Sequence, residues 1–582
     1  MLRLIIMLLP ALLFAAGNLS PVTVLPREAA VPTGDVIATS PPVPGHTDGG
    51  SPLIGTVDTV GGTTYDWWAN GPIYRMVKNS PGHGVHVLWM YSAATSGTTF
   101  DDRNMRYNYY DYSVHSWNWI DPDYMQSGVN VFTHRAGYGN IDAYPVSGEA
   151  IVSCHYTGTG GVAPKVAKDV EPGVGIFDYA DGEPVLGLCQ WPVISVGRDS
   201  TINILAMTAS YGLVYGHILP HNWPNFSAPI TPIDPSPGFP THNIAASRVS
   251  GKVCLVWEIS TDVPEDAYVM TSTDDGVTWT SPEQLLPPDA YGGDTVTSFH
   301  ITSLFPYYDN SDRLNIVANV CPQVNDTVYI IPSQIWHYCP DNSPMWNRIH
   351  IAGCAPSHLL ASVGYNATYA DRPSIGQDND GNLFVAWEQF DSANVEPITS
   401  RLRANIFASS SYDGGLTWLP ADKLTEAGTN SMRFPSIADL AVEGGAYWDT
   451  MFIIYEVDQV AGFFVQGEGP ATNNAVLVQK VPPYDGLAES GHGATPVKAE
   501  LSATPNPFTG RTGLSYALPR AGRAVVEVFD LAGRSVAKPV DGFKTAGRYS
   551  ATLQAKGLAP GVYVARLTAG GYCLTRKLIL TD

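Results

Sequence analysis

Two eight-residue segments decide the fold: STDDGVTW at Ser272–Trp279 and SYDGGLTW at Ser411–Trp418. Both match the pattern Ser-x-Asp-x-Gly-x-Thr-Trp at every fixed position, through Ser272, Asp274, Gly276, Thr278 and Trp279 in the first and Ser411, Asp413, Gly415, Thr417 and Trp418 in the second. In such a hairpin turn the Asp carboxylate accepts backbone N–H groups, the hydroxyls bond locally and Gly takes a positive φ. The Trp ring then folds over the turn and buries a large area. The two segments therefore predict tight turns between β-strands.

A five-residue apolar strand recurs along the chain at intervals of 51 to 69 residues. The copies are Val85–Trp89, Ala150–Cys154, Ile202–Ala206, Val253–Trp257, Leu314–Ala318, Leu383–Trp387 and Met451–Tyr455. Repetition on this scale is typical of propellers, solenoids and arrays. The runs are mostly apolar on both faces, as expected of strands packed between neighbouring sheets. We therefore predict an all-β chain with a seven-bladed β-propeller, or a six-bladed one if one degenerate copy is an insertion.

The first and last strands of the repeat region are expected to meet. The last repeat supplies only three strands, near 434–438, 451–457 and 475–481, whereas the extended segment LIGTVDTV at Leu53–Val60 precedes the first blade. Pairing that segment with the last blade would close the ring and leave fewer exposed strand edges.

The two turn segments are Asp-boxes, and residues 60–485 resemble the sialidase-like (BNR-repeat) propellers. Degenerate relatives of the motif lie at Asp111–Trp117 and Asp341–Trp346. In that family the boxes lie on outer turns of the blades, away from the active site. The resemblance therefore implies a structural role for Asp274 and Asp413. It is a specific indication of the fold and a weak indication of function.

Sialidase chemistry needs an arginine cluster for the substrate carboxylate, a Tyr activated by a Glu, and an acidic proton donor. Arg75 lies on the first strand of the first blade, without the Ile-Pro that follows the family's arginine. Arg372 and Arg433 open later blades in similar positions. The remaining candidates each follow the aromatic end of a repeated strand; they are Glu258, Glu388 and Glu456.

These six residues allow two interpretations. They could converge on the axial funnel as an acidic and basic pocket, or they could repeat one structural role in each blade. Since a catalytic residue is needed once, the repetition favours the structural interpretation, and no residue is assigned a catalytic role. The strongly acidic propeller also makes an anionic glycan a less natural ligand, although a local arginine cluster could overcome that.

The N-terminus, MLRLIIMLLPALLFAAG, combines Arg3, an apolar run from Leu4 to Phe14 and small residues at the end. This order predicts a secretory signal peptide, whose apolar run is too short to span a bilayer. No other stretch approaches the length of a membrane helix. The seven cysteines therefore lie where disulfides can persist, and a local pairing among Cys321, Cys339 and Cys354 is plausible.

The tail differs in charge from the rest of the chain. Residues 501–582 hold eleven Lys and Arg against four Asp and Glu, a net charge of +7, so the remainder carries −29 of the total of −22. Alternating strands predict an Ig-like antiparallel β-sandwich there. Its Pro-Asn-Pro-Phe start, the Leu-Ala-Gly-Arg hairpin, the Pro-Gly-Val-Tyr strand and the terminal Arg576-Lys577 resemble a type IX secretion C-terminal sorting domain. The resemblance implies outer-membrane translocation; an ordinary accessory Ig-like module is the alternative.

The predicted organisation is a signal peptide at 1–17, a Pro/Gly/Thr-rich linker at 18–52, the propeller at 53–485, a second linker at 486–500 and the sorting domain at 501–582. Type IX secretion machinery is the expected partner of the tail. The expected location is the cell surface or the medium of a Gram-negative-type bacterium.

Other site classes are poorly supported. Asp378 and Asp380 have the carboxylate density of part of a calcium loop but lack the distant Glu of an EF-hand, so a polar hairpin turn is the better interpretation. No cofactor is expected, apart from this possible structural calcium. The acidic composition and the absence of a basic stripe outside the tail disfavour nucleic-acid binding.

Three functional hypotheses follow from the sequence. The leading one is an exported propeller that binds a glycan, polymer or protein through its axial funnel and loops. The second is a glycoside hydrolase of sialidase type, and the third is a structural surface or adhesion component.

Overall fold

The computed structural model describes residues 51–96, 99–158, 160–233, 239–260, 267–288, 298–324, 327–353, 362–441, 450–482, 500–518, 522–544, 547–569 and 572–581. The predicted signal peptide, all but the last two residues of the first linker, and all but the last residue of the second linker lie outside these ranges. The chain divides into two compact units. The first covers residues up to 442 together with 451–480, and the second covers 481–582 together with 443–450.

The first unit contains seven antiparallel sheets of four or five strands in its described residues, numbered here in chain order. Sheet 1 consists of Val77–Ser80, Gly84–Tyr91, Asn104–Asp111, Ser116–Trp117 and Val129–Asn130. Sheet 2 consists of Ala136–Gly137, Ile141–Ala143, Ala150–Gly158, Gly161–Asp169 and Phe177–Asp181. Sheet 3 consists of Cys189–Val196, Ile202–Thr208, Leu213–Ile218 and Ser227–Ile233. Sheet 4 consists of Phe239–Ala246, Val253–Ser260, Ala267–Ser272 and Glu283–Gln284.

The remaining sheets of this unit follow the same plan. Sheet 5 consists of Ser298–Tyr308, Leu314–Val324, Thr327–Val328, Ser333–Tyr338 and Trp346–Ala352. Sheet 6 consists of Ala370–Gln377, Leu383–Val395, Leu402–Ser411 and Asp422–Lys423. Sheet 7 consists of Ser431–Ile437, Met451–Asp458, Asn474–Val481 and Thr56–Thr63. A ribbon joins Ser51–Pro52 to Thr425–Glu426, and the helical segments are Tyr124–Gln126, Glu183–Leu186 and Pro220–Asn222.

The sheets form a closed ring around an axis, which is the architecture of a β-propeller. The innermost strand of each sheet contacts the innermost strand of the next from sheet 1 to sheet 7, and sheet 7 contacts sheet 1. The predicted closure is confirmed, because Thr56–Thr63 pairs with Asn474–Val481 and supplies the fourth strand of sheet 7. Each repeated apolar strand is the second strand of its sheet, one position out from the axis. It is buried between neighbouring sheets, which explains why it is apolar on both faces.

The second unit is an antiparallel sandwich. One sheet consists of Glu500–Thr504, Arg511–Leu518 and Gly547–Gln554, and the other of Ser535–Lys544, Gly522–Phe529, Gly561–Ala569 and Tyr572–Leu580. Phe508 of the Pro-Asn-Pro-Phe segment is buried in the core between them. The Asn506 amide donates to the Lys577 carbonyl at 2.7 Å, so this segment is fixed to the last strand.

The cysteine pairing considered above is absent between the two members that the structure describes. Cys321 and Cys339 are both buried and are not joined by a disulfide, and Cys154, Cys189 and Cys254 are buried as well. Cys354 lies outside the described residues. Within the described ranges, no helix is both long and apolar enough to cross a membrane.

Candidate functional site

The axis of the propeller has two chemically different ends. Neighbouring innermost strands lie side by side, and the bridge between Gln377 and Leu440 is parallel. In a propeller these strands all run in one direction along the axis, so all begin at one end and finish at the other. We call the end where they begin the N-face and the end where they finish the C-face. The sequence-predicted arginines and glutamates divide between these two ends.

The innermost strands start with an unusual backbone conformation at the N-face. Tyr138, Trp191, Arg372 and Phe434 occupy corresponding positions in four sheets, and their φ angles lie between 47° and 57°. The register of strand pairing shifts at this point in three of these sheets. Such a bulge redirects the side chains, so that residues on either side of it can point toward the same space.

Arg372 and Arg433 meet at one buried carboxylate near the N-face. Arg372 Nη1 donates to Glu388 Oε1 at 2.5 Å, and Arg433 Nε donates to Glu388 Oε2 at 3.2 Å. The Glu388 carboxylate also accepts the Phe434 backbone N–H at 2.8 Å. None of the three charged residues is more than 1% exposed. Burial raises the pKa of Glu388, but the two guanidinium groups outweigh it and hold the pKa below its usual value.

Three further carboxylates lie close to this group. Asp66 accepts the backbone N–H groups of Phe464 and Val465, and burial raises its pKa to about 7. Glu456 accepts the Asn474 amide at 2.7 Å. Burial, and then the charge of Asp66, raise the pKa of both Glu456 and Asp458 well above the usual range. The structure therefore favours protonated carboxyl groups here.

Aromatic side chains fill the space around these charges. The Arg433 guanidinium lies 4.6 Å from the centroid of the Phe463 ring and 4.9 Å from that of Phe390. Trp68 stacks on Phe434 at 5.9 Å and Trp67 stacks on Phe463 at 6.2 Å. Both tryptophans are at most 1% exposed. The two arginines are therefore enclosed and paired, and they do not face an open site.

The other two candidates lie apart from this group. Glu258 accepts the Thr241 hydroxyl at 3.0 Å and lies 3.5 Å from His300 Nε2. Arg75 reaches from sheet 1 to sheets 7 and 6, and its guanidinium donates to the carbonyls of Ile437 at 2.7 Å and Ile375 at 3.1 Å. The three predicted arginines therefore do not converge on one point.

Arg75 borders a cavity of about 200 Å³ that opens at the C-face. Its guanidinium carbon lies 4.8 Å from the centroid of the Phe305 ring and 5.7 Å from that of Tyr307. Burial lowers the pKa of Arg75, and the charge of Asp439 opposes this effect. Within the described residues, no carboxylate pairs with this guanidinium.

The other charged residues of the cavity wall form a continuous series of ion pairs. Lys78 pairs with Asp439 and lies 3.4 Å from Asp142, which also pairs with Arg248. Burial raises the pKa of Asp142, but Arg248 and Lys78 outweigh it and lower the pKa below its usual value. With Arg75, three cations face two carboxylates, so the charged residues of the lining sum to +1.

Sequence reasoning missed Lys78, Asp142, Arg248 and Asp439. Each lies at the end of an innermost strand or in the turn after it, a region that varies among the seven sheets. Only a comparison of the same turn in every repeat could have singled them out.

The two turn segments have the predicted geometry. Asp274 Oδ1 accepts the Thr278 backbone N–H at 2.8 Å, and Asp413 Oδ1 accepts that of Thr417 at 2.9 Å. Gly276 and Gly415 have φ values of 82° and 86°. The tryptophan rings also reach the preceding sheet, Trp279 at 4.8 Å from Tyr215 and Trp418 at 5.4 Å from His337. These contacts join neighbouring sheets at the C-face. The two degenerate copies of the motif also coincide with turns between the third and fourth strands of a sheet, counted outward from the axis, at 112–115 in sheet 1 and at 339–345 in sheet 5.

The Asp378–Asn382 segment forms a polar hairpin turn. Asp378 Oδ1 accepts the backbone N–H groups of Asp380 and Asn382, and Oδ2 accepts the Asn382 amide at 2.7 Å. The Asp378 carboxylate is therefore engaged by its own turn. No group of three or more potential metal ligands is found among the residues that the structure describes.

Comparison with known proteins identifies the tail. Residues 502–581 match the secretion system C-terminal sorting domain. The chain is therefore handled by the type IX secretion machinery and exported to the cell surface or the medium. No curated protein sequence matches the chain.

Three of the solved structures to which the chain is similar are a polysaccharide lyase, an arabinanase and a sialidase. A polysaccharide lyase of family PL25, an ulvan lyase, has a TM-score of 0.42 at 11% identity, covering 72% of this chain and 96% of the lyase. An α-L-arabinanase from Penicillium chrysogenum has a TM-score of 0.35 at 10% identity, covering 74% and 98%. The Hadza microbial sialidase Hz136 has a TM-score of 0.31 at 11% identity, covering 76% and 98%.

Proposed function

We propose that this exported propeller binds a saccharide in the axial cavity at the C-face. The cavity itself is the observation that carries the proposal. Its volume of about 200 Å³ is smaller than the ~300–1,000 Å³ typical of sites for drug-sized ligands. It therefore suits one small polar unit, such as a single residue of a longer glycan whose remainder extends into solvent.

The lining has the chemistry that a sugar requires. The aromatic residues Phe305 and Tyr307 line the cavity together with the polar residues Asn79, Asn243 and Ser195. Hydrogen bonds fix these polar groups: the Asn79 amide donates to the Ala441 carbonyl at 2.8 Å, and the Ser195 hydroxyl accepts the Ala246 N–H at 2.9 Å. A preformed polar site loses little entropy on binding.

Hydrolysis of a sialoside is the less supported alternative. Binding the sialoside carboxylate would need arginine N–H groups that are available to a ligand, whereas Arg372 and Arg433 form ion pairs with Glu388 in the protein interior. Binding without turnover is the function that the described geometry favours.

A saccharide array and a fluorogenic sialoside assay on the mature full-length chain test this proposal. We expect saccharide binding, and no release of the fluorophore at high protein concentration. Asn310 is exposed at the mouth of the cavity, so Asn310→Trp should block it and weaken binding at least tenfold. Ser113→Trp is the matched control, since it adds the same bulk to an exposed outer turn of the same face.

Two results would contradict the proposal. One is an array on which no saccharide binds. The other is a saccharide whose affinity falls equally for Asn310→Trp and Ser113→Trp, or for neither, because its site then lies outside the cavity. Turnover of the sialoside would instead establish the hydrolase.

A further inference from the structure

Among the residues that the structure describes, one cation of the cavity lining, Arg75, has no carboxylate partner. Lys78 and Arg248 are neutralised by Asp142 and Asp439, but the hydrogen bonds of Arg75 in the described structure go only to two backbone carbonyls. A guanidinium group has five N–H donors, so three of them remain. Arg75 is partly exposed, and it lines the cavity.

Burying the charged Arg75 guanidinium without a carboxylate costs free energy, and a bound anion would offset that cost. The guanidinium has lost much of its hydration, and carbonyl dipoles compensate only part of its charge. The guanidinium lies over the rings of Phe305 and Tyr307, which restrict its position. A carboxylate would receive charge-assisted hydrogen bonds from a donor that is already oriented.

The local charge also contrasts with that of the whole protein. The chain has a net charge of −22, and the charged residues of the cavity lining sum to +1. An anionic ligand is repelled by most of the surface, so a site that accepts one needs its own cation at short range. Arg75, in the lining of the cavity, meets that requirement.

We propose that the saccharide unit held in this cavity carries a carboxylate, as a uronic acid does, and that Arg75 binds it. The inference rests on the proposed saccharide binding. It places the carboxylate contact at the C-face, at the opposite end of the axis from the Arg372 and Arg433 pair at the N-face.

Three ligands of nearly the same shape test the inference by calorimetry on the mature full-length chain. They are galacturonic acid, its methyl ester and galactose. We expect the acid to bind at least tenfold more tightly than either neutral ligand, because a hydrogen bond to a charged group contributes at least that factor. This comparison needs no variant, so it does not depend on how a substitution folds.

Arg75→Gln supplies the second arm. The variant should reduce the affinity for the acid to that for galactose and leave the affinity for galactose within about twofold, a factor that corresponds to a fraction of one hydrogen bond. Arg198→Gln is the control, since Arg198 is exposed at the same face and lies outside the cavity lining. It should change neither affinity.

The outcomes separate the two proposals. Equal binding of the acid and its ester, or an acid preference that survives Arg75→Gln, overturns the role of the carboxylate and leaves saccharide binding intact. Failure of all three ligands to bind, together with an empty saccharide array, overturns both.

Discussion

The two ends of one axis use buried charge in different ways. At the N-face, two guanidinium groups share the Glu388 carboxylate and aromatic rings surround them. At the C-face, a chain of ion pairs lines an open cavity, and the hydrogen bonds of Arg75 within the described ranges go to carbonyl groups. Arginine side chains therefore connect neighbouring sheets at the N-face, whereas at the C-face an arginine lines an open cavity.

This difference shows why an arginine at the start of a propeller strand is weak evidence for a binding site. Position in the repeat places the side chain near the axis, and the residues around it decide whether its donors are available. Arg433 opens its strand much as the sequence predicted, but a carboxylate from the neighbouring sheet already occupies it.

The largest expected effect is that of Glu388→Gln at the N-face. The substitution leaves two buried guanidinium groups without their carboxylate, and breaking a buried ion pair by removing one partner costs about 3–5 kcal/mol. We expect the free energy of unfolding, measured by denaturant titration, to fall by at least this amount. Lower refolding yield would accompany it.

Glu426→Gln provides the matched control for that experiment. Glu426 pairs with Lys423 at 2.8 Å, but its side chain is 50% exposed. An exposed pair contributes about 0–1 kcal/mol, so this variant should unfold much like the original chain. A similar fall in the free energy of unfolding for the two variants would show that the buried ion pairs of Glu388 do not stabilise the N-face more than an exposed pair does.

The pH dependence of stability should have opposite signs at the two ends. Burial raises the pKa of Asp66 to about 7, so its contribution to the free energy of unfolding is complete below about pH 4 and is lost as the pH rises to about 7. The pKa of Asp142 is lowered, so its contribution is present above the usual carboxylate range and is lost as the pH falls through the lowered value.

Denaturant titrations between pH 4 and pH 8 measure the Asp66 contribution, because Asp142 with its lowered pKa stays ionised throughout that window. Asp66→Asn should flatten the fall in stability between pH 4 and pH 7 by about 2 kcal/mol, since each unit of pKa shift corresponds to about 1.4 kcal/mol and neighbouring groups share the effect. Asp142→Asn should leave that fall in place. An unchanged slope in Asp66→Asn would place the titrating group elsewhere.

The smallest expected effect is that of Asp413→Ala in one of the two turns. The alanine removes the acceptor for the Thr417 N–H and hydroxyl groups, a loss comparable to that of a helix cap, about 1 kcal/mol. Thermal unfolding should shift accordingly, and saccharide affinity should stay the same. A loss of affinity without a loss of stability would give the turn a role in binding.

The fold could be predicted largely because its signals are local and repeated. The Ser272–Trp279 and Ser411–Trp418 segments specify their turns through contacts within eight residues, and the segment at Leu53–Val60 was recognisable as a missing strand. The sorting domain could be recognised because its motifs and its charge both differ from what precedes them.

The site could be predicted only in part, because its contacts join distant residues. Arg75 was a candidate, but its carbonyl partners are more than 290 residues away in sequence, at separations of 362 and 300. Nothing in the sequence near Asp142 indicates that Lys78 and Arg248 will meet it. The pairing of Arg372 with Glu388 likewise depends on a backbone bulge that propensities do not predict.

Ring closure by Thr56–Thr63 has a consequence for biogenesis. The Gln479 amide donates to the Ile54 carbonyl across a separation of 425 residues, so the contacts that seal the ring have about the longest range that this unit allows. A topology with such a high contact order folds slowly, since the chain must lose much of its entropy before the last contacts form. Until Asn474–Val481 has been synthesised, the sealing segment has no partner and its polar backbone edge stays open to aggregation. We therefore expect this unit to complete its fold only after its last strands have been exported along with its first.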